Sequence, residues 1–222
     1  KKYQGRGIGQ SYYNSGPFWD ELCWGAIWLY QATGDEQYLS DVDTFIKAHL
    51  GEHGAKNYQN RWTMCWDDIW AAVFMEMYRI TGEQVYRDCV EFNLEYWMND
   101  LPRTPGGLCY LDSWGVLRYT AAECMLALIY YDMSGNVRYR DFARSQIDYI
   151  LGSNPRNSSY VVGYGNNYPL FPHHRASSGR LEGPPADEKK TMPQRHILYG
   201  ALVGGPMMDD SYEDNIDEYR YT

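Results

Sequence analysis

Three stretches of this 222-residue chain share one pattern: an apolar run, then Thr or Ser, then Gly, then Tyr four residues after the glycine. They are Trp24–Tyr38, Ala71–Tyr86 and Cys124–Tyr139, and their glycines, Gly34, Gly82 and Gly135, lie 48 and 53 residues apart. A glycine that closes a helical run suits a left-handed C-cap. The pattern therefore predicts first helices over 17–33, 64–81 and 117–134, each followed by a second helix over 36–50, 83–99 and 136–151. The second helices carry apolar residues at helical spacing, as in Ile147, Ile150 and Leu151 behind Phe142. The first helices are apolar nearly all round, which suits an inner layer covered on both sides. A repeated hairpin of this length buries its faces against its neighbours, so the expected class is all-α, either an α/α toroid or an α-solenoid. One more helix is expected near 193–204.

The connectors between hairpins, 51–63, 100–116 and 152–190, are long, polar and rich in aromatic residues. Long loops on a rigid scaffold are where function concentrates. Aromatic content reaches 16%, with eight Trp and 22 Tyr. Aromatic faces either grip the flat C–H surface of a sugar ring or fill a core, and composition does not choose between them. A formal charge of −9 argues against nucleic acid or an anionic membrane surface as partner. No apolar run of about 18 residues is present to span a membrane. The opening Lys1-Lys2-Tyr3-Gln4 does not read as a signal peptide. The five cysteines, Cys23, Cys65, Cys89, Cys109 and Cys124, form no C-x-x-C pair and read as free thiols. His49 and His53 have metal-ligand spacing but no third ligand, so a place at a helix C-terminus is the expected role.

Ser159 to Arg175 reads SYVVGYGNNYPLFPHHR, and Tyr212 to Thr222 reads YEDNIDEYRYT. The first resembles one signature of family 9 glycoside hydrolases, and the second resembles the first half of the other. Four further segments agree: Ser15 to Trp24 (SGPFWDELCW), Trp66 to Asp68 (WDD), Gly106 to Tyr119 (GGLCYLDSWGVLRY) and Gly152 to Pro155 (GSNP). The resemblance implies an (α/α)6 barrel, roughly half of it in this chain. It makes residues 1–222 the C-terminal part of a single catalytic domain. It also implies an endo-1,4-β-glucanase that cleaves cellulose or related β-glucans with inversion.

Carried onto this sequence, the resemblance puts His173 and Arg175 beside the scissile bond. Imidazole and guanidinium both donate to sugar hydroxyls. Asp214 would support the catalytic acid, a Glu that the signature's spacing expects at the position after Thr222. The general base, an N-terminal Asp in the family, has no matching segment here. The fragment alone is therefore expected to be inactive. Trp62, Trp114 and Tyr119 would be stacking platforms, with Tyr12 toward the non-reducing side. Some members bind calcium through the segments that match here, which implies a Ca2+ site of Asp20, Glu21, Asp67 and Ser15; its competing role is favourable charge in a first helical turn. No organic cofactor is expected. A secreted location follows from the substrate, with appended carbohydrate-binding or dockerin modules outside the chain. Two other readings stay open: a helical solenoid that binds partners without catalysis, and another polysaccharide hydrolase or lyase on the same toroid.

Overall fold

The computed structural model describes residues 16–174, 177 and 194–214. It divides into two compact units, one through Glu95 and one from Tyr96 onward. Among the described residues the secondary structure is helical, with two isolated β-bridges and no strand.

In the first unit, α1 (Trp19–Thr33) packs against α2 (Gln37–Leu50), and α3 (Trp70–Thr81) against α4 (Gln84–Glu95). Helix α1 also touches α3. The core is Cys23, Ile27, Val42, Ile46, Val73, Phe74, Val90 and Leu94. An aromatic ladder, Trp70, Phe74 and Tyr86, runs through it with ring separations of 5.6 and 6.2 Å. The second unit opens on a π-helical turn, Tyr96–Asp100, and then pairs α5 (Val116–Ser134) with α6 (Val137–Leu151). Its core gathers Leu108, Val116, Leu117, Tyr149, Ile150, Tyr160, Val162 and Val203.

The repeated Thr/Ser–Gly stop has one physical form in all three hairpins. Gly34, Gly82 and Gly135 adopt φ of 73°, 69° and 69°, and each donates its N–H to the carbonyl four residues back. The hydroxyl just before the glycine bonds back into the helix: Thr33 to Leu29, Thr81 to Met77 and Ser134 to Tyr130, at 2.7, 2.8 and 2.7 Å. The same oxygen accepts the N–H of Asp35, Glu83 and Asn136. The glycine N–H thereby satisfies one orphan carbonyl at each helix end, and the hydroxyl ties the next residues to the last turn. The tyrosine four residues on seals the turn, as where Tyr139 meets Tyr130 edge-on at 4.9 Å.

Four expectations need correction. The helix expected from residue 64 starts at Trp70 instead. Residues 65–69 form a turn because Asp20 accepts the Ile69 N–H at 2.9 Å and Asp68 accepts the Trp70 N–H at 3.1 Å. The helix expected over 83–99 changes to a π turn at Tyr96. The helix near 193–204 is absent from the described residues 194–204. There the backbone pairs with residues 160–162: Val162 N–H to Ala201 O, Gly200 N–H to Val162 O and Val203 N–H to Tyr160 O. Glycines at 200, 204 and 205 with Pro206 disfavour a helix and suit this extended pairing. Finally, two of the first helices, α1 and α5, are not covered all round in this chain, whereas α3 is largely buried. Trp28 and Leu29 of α1 and Met125 and Leu128 of α5 are exposed.

Gly82→Ala tests the stop. The backbone there has φ of 69° and open space around the added methyl, so the cost is conformational. A loss of about 1 kcal/mol is expected in urea unfolding. No loss would show that the left-handed cap is not what ends α3.

Candidate functional site

In the second unit the candidate site is built from the connector that precedes α5 and the loops that follow α6. After α6 the chain turns at Gly152, and Asn154 pins the turn by donating to Tyr149 O at 2.6 Å and Ser158 O at 3.0 Å. Arg156 then reaches along the next loop, donating to Ser159 O at 3.0 Å and Asn167 O at 2.9 Å. Its guanidinium lies 4.9 Å over the Tyr212 ring, and Tyr212 meets Tyr160 edge-on at 5.1 Å. This stack brings the segment 206–214 alongside the loop that carries His173.

Asp214 makes the decisive contact. Its carboxylate accepts the N–H of Leu170 at 2.7 Å and of Phe171 at 3.2 Å, with the Tyr212 hydroxyl 3.5 Å away. Pro172 follows, buried, and then His173, exposed. On the far side Gln194 donates to Pro172 O at 2.9 Å, and the Ser177 N–H reaches His174 Nδ1 at 3.2 Å. The imidazole of His173 is thus presented to solvent from a loop held at both ends. Arg175 and Tyr12 lie outside the described residues.

The expected platforms part company. Trp114 is 46% exposed, on a connector whose Asp112 accepts the Trp114 N–H at 3.3 Å. Trp62, in the first unit, is half-buried; its indole donates to Cys65 Sγ at 3.3 Å. Tyr119 is 3% exposed and lies within α5. Arg118 sits 4.6 Å over its ring and donates to its hydroxyl at 2.7 Å. A sugar cannot lie on that face, which corrects the expectation of a platform there.

In the first unit Asp20, 2% exposed, opens α1 and accepts the Ile69 N–H. Asp67 accepts the Gly16 N–H at 2.7 Å. Partial burial, a hydrogen bond to Asp20 and the charges of Asp20 and Asp67 push Glu21 up to about 7; water screens part of this at its exposed position. Burial pushes Asp68 up to about 6, with Asp20 and Asp67 adding to it. The donors are all oxygen, as calcium requires. However, no three His, Cys, Asp or Glu side chains among the described residues converge as a metal cage. Ser15 lies outside the described residues. His49 stacks on Trp70 at 5.0 Å, so it packs against the core.

Sequence reasoning missed Asp210 and Arg156. Asp210 reads as one acid in an acidic tail, and Arg156 as an ordinary loop residue. Only the fold brings Asp210 beside Gly106 and Arg156 beside Tyr212.

Over residues 1–222 the sequence matches the family described as Glycosyl hydrolase family 9. Endoglucanase A of Bacillus pumilus is 42% identical over 95% of this chain and 33% of its own length. Endoglucanase B of Cellulomonas fimi is 42% identical over 94% of this chain and 21% of its own. Among solved structures, the cellulase Cel9M of C. cellulolyticum in complex with cellobiose superposes with a TM-score of 0.88 and 44% identity, over 99% of this chain and 50% of that one. Endoglucanase CelQ of Clostridium thermocellum, complexed with cellotetraose, gives 0.84 and 42%, over 96% and 37%. The chain thus spans a fifth to a third of these two endoglucanases and at most half of these two solved chains. The superpositions bear out the (α/α)6 barrel class, of which this chain supplies a part.

Replacing Asp214 by Ala frees the Leu170 and Phe171 amides. A destabilisation of about 1–3 kcal/mol is expected, with faster proteolysis within 165–174. Unchanged proteolysis there would mean that the carboxylate does not hold the loop.

Proposed function

Because the chain belongs to glycosyl hydrolase family 9, we propose that it forms the C-terminal part of an endo-1,4-β-glucanase catalytic domain acting on cellulose or related β-glucans. The observation that carries this reading is the Asp214 clamp on the loop that presents His173. It joins the two signature segments through one carboxylate. The cellobiose and cellotetraose named with Cel9M and CelQ support the substrate class.

Inverting hydrolysis uses two carboxyl groups about 6.5–9.5 Å apart, one protonating the leaving oxygen and one activating water. In this reading both belong to the part of the domain that the chain does not span. The chain's own residues bind and orient. His173 and Arg175 hold hydroxyls of the sugar beside the scissile bond. Trp114 offers a face for a neighbouring glucose unit, and Trp62, in the first unit, is proposed as a sugar-stacking platform in its own right. Asp214 keeps the His173 loop at its post and is a positioning residue, not a reacting one. A polymeric glucan does not enter cells, so the enzyme is proposed to work outside them, with carbohydrate-binding or dockerin modules elsewhere in the polypeptide.

We also propose that Asp20, Glu21 and Asp67, with Ser15, hold Ca2+, the ion drawing together carboxylates that do not converge as a cage without it. An all-oxygen donor set and the crowding of negative charge at the start of α1 support it. Calcium there would join α1 to the turn before α3, a structural service, and no catalytic step passes through it.

Two measurements test these readings on the complete polypeptide. Proton NMR of cellotetraose digestion should show the α-anomer first, and His173→Ala should lower kcat about 100-fold. A β-anomer first product, or full activity in the variant, would contradict the assignment. Chelation with EGTA should lower Tm by several degrees and added Ca2+ should restore it. Asp67→Asn should abolish that response, and a Tm indifferent to chelation would remove the calcium site.

A further inference from the structure

We propose that Asp210 is a positioning residue for glucan hydrolysis, fixing the Trp114-bearing connector relative to the His173 loop. The proposal rests on the hydrolase reading above.

Asp210 sits in the turn Met207–Ser211, where the Met207 N–H bonds Ser211 O at 2.9 Å and the Asp210 N–H bonds Met207 O at 3.0 Å. Its carboxylate accepts two donors from distant parts of the chain. One is the Gly106 N–H at 2.5 Å and the other the Tyr149 hydroxyl at 2.5 Å. Burial and the bond to Asp210 push the Tyr149 phenol far above its usual range, so it remains a donor.

The connector end of this link is rigid. Gly106 belongs to a tight loop closed by the Arg103–Cys109 bridge, the Leu108 N–H to Thr104 Oγ1 bond at 3.1 Å and the Gln146 side chain. A Cβ at Gly106 would come within 2.6 Å of Pro155, so the loop is pressed against the turn after α6. A short stretch then leads from this loop to Asp112 and Trp114. The other end leads from Asp210 through Tyr212, wedged between Arg156 and Tyr160, to Asp214 and its two amides. One side chain therefore links the exposed aromatic face to the exposed imidazole.

The backbone at Asp210 is left-handed. Its φ is 64°, the left-handed region that glycine and asparagine occupy at less cost. An Asp placed there accepts strain that a glycine would not.

This strain separates a positioning role from a structural one. In the complete polypeptide, Asp210→Gly relieves the backbone while deleting the carboxylate. Asp210→Asn keeps the shape and one acceptor oxygen. Tyr149→Phe removes one donor and leaves the Gly106 bond. Kinetics on cellotetraose, per folded molecule by circular dichroism, should show Asp210→Gly with kcat about 10-fold lower or more and KM raised. Asp210→Asn should recover part of the loss, and Tyr149→Phe should fall between Asn and wild type. If all three keep kcat and KM within twofold of wild type, whatever their Tm, the proposal is wrong. Should the Asp210 variants fail to fold, Tyr149→Phe decides alone, and wild-type kinetics in it would overturn the proposal. A wild-type polypeptide that does not cleave cellotetraose would instead sink the hydrolase reading, and this proposal with it.

Discussion

Carboxylates that capture backbone amides hold the connectors of this protein in place. Helices satisfy their own amides, but the long loops between hairpins have no ladder to do so, and an unpaired buried N–H is costly. Four aspartates fill the need. Asp20 takes Ile69, Asp67 takes Gly16, Asp210 takes Gly106, and Asp214 takes Leu170 and Phe171. Each bond is charge-assisted and spans at least 43 residues of sequence, so each closes a large loop with one side chain. The acidic balance of the chain, which at first excludes partners, is in part an inventory of these clamps.

The hairpins were legible in the sequence because their information is local. The hydroxyl, the glycine and the tyrosine act within a few residues of one another, so the pattern survives three times and its physical form is the same each time. The loop around His173 was legible only through its resemblance to a known signature. Composition and spacing alone would have left Asp214 as one acid in an acidic tail.

The rest depends on contacts distant in sequence. Helix α3 starts later than its apolar run suggests because Asp20, 49 residues earlier, accepts the Ile69 N–H. A helix is expected near 193–204, yet in the described residues 194–204 Val161 and Val162 recruit the chain as an extended partner. Tyr119 carries the same side chain as a platform would, but one turn inside α5 it belongs to the core. Asp210 has no local signal at all, since its partners lie 104 and 61 residues away.

In the proposed reading the site has its binding faces on loops and its rigidity in a few carboxylates. The most direct test is hydrogen–deuterium exchange of the complete polypeptide with and without millimolar cellotetraose. The account predicts slowed exchange in two separate stretches, 111–119 around Trp114 and 168–174 around His173, with the outer face of α6 unchanged. Protection in neither stretch, in a folded protein, would contradict a glucan-binding face on these connectors.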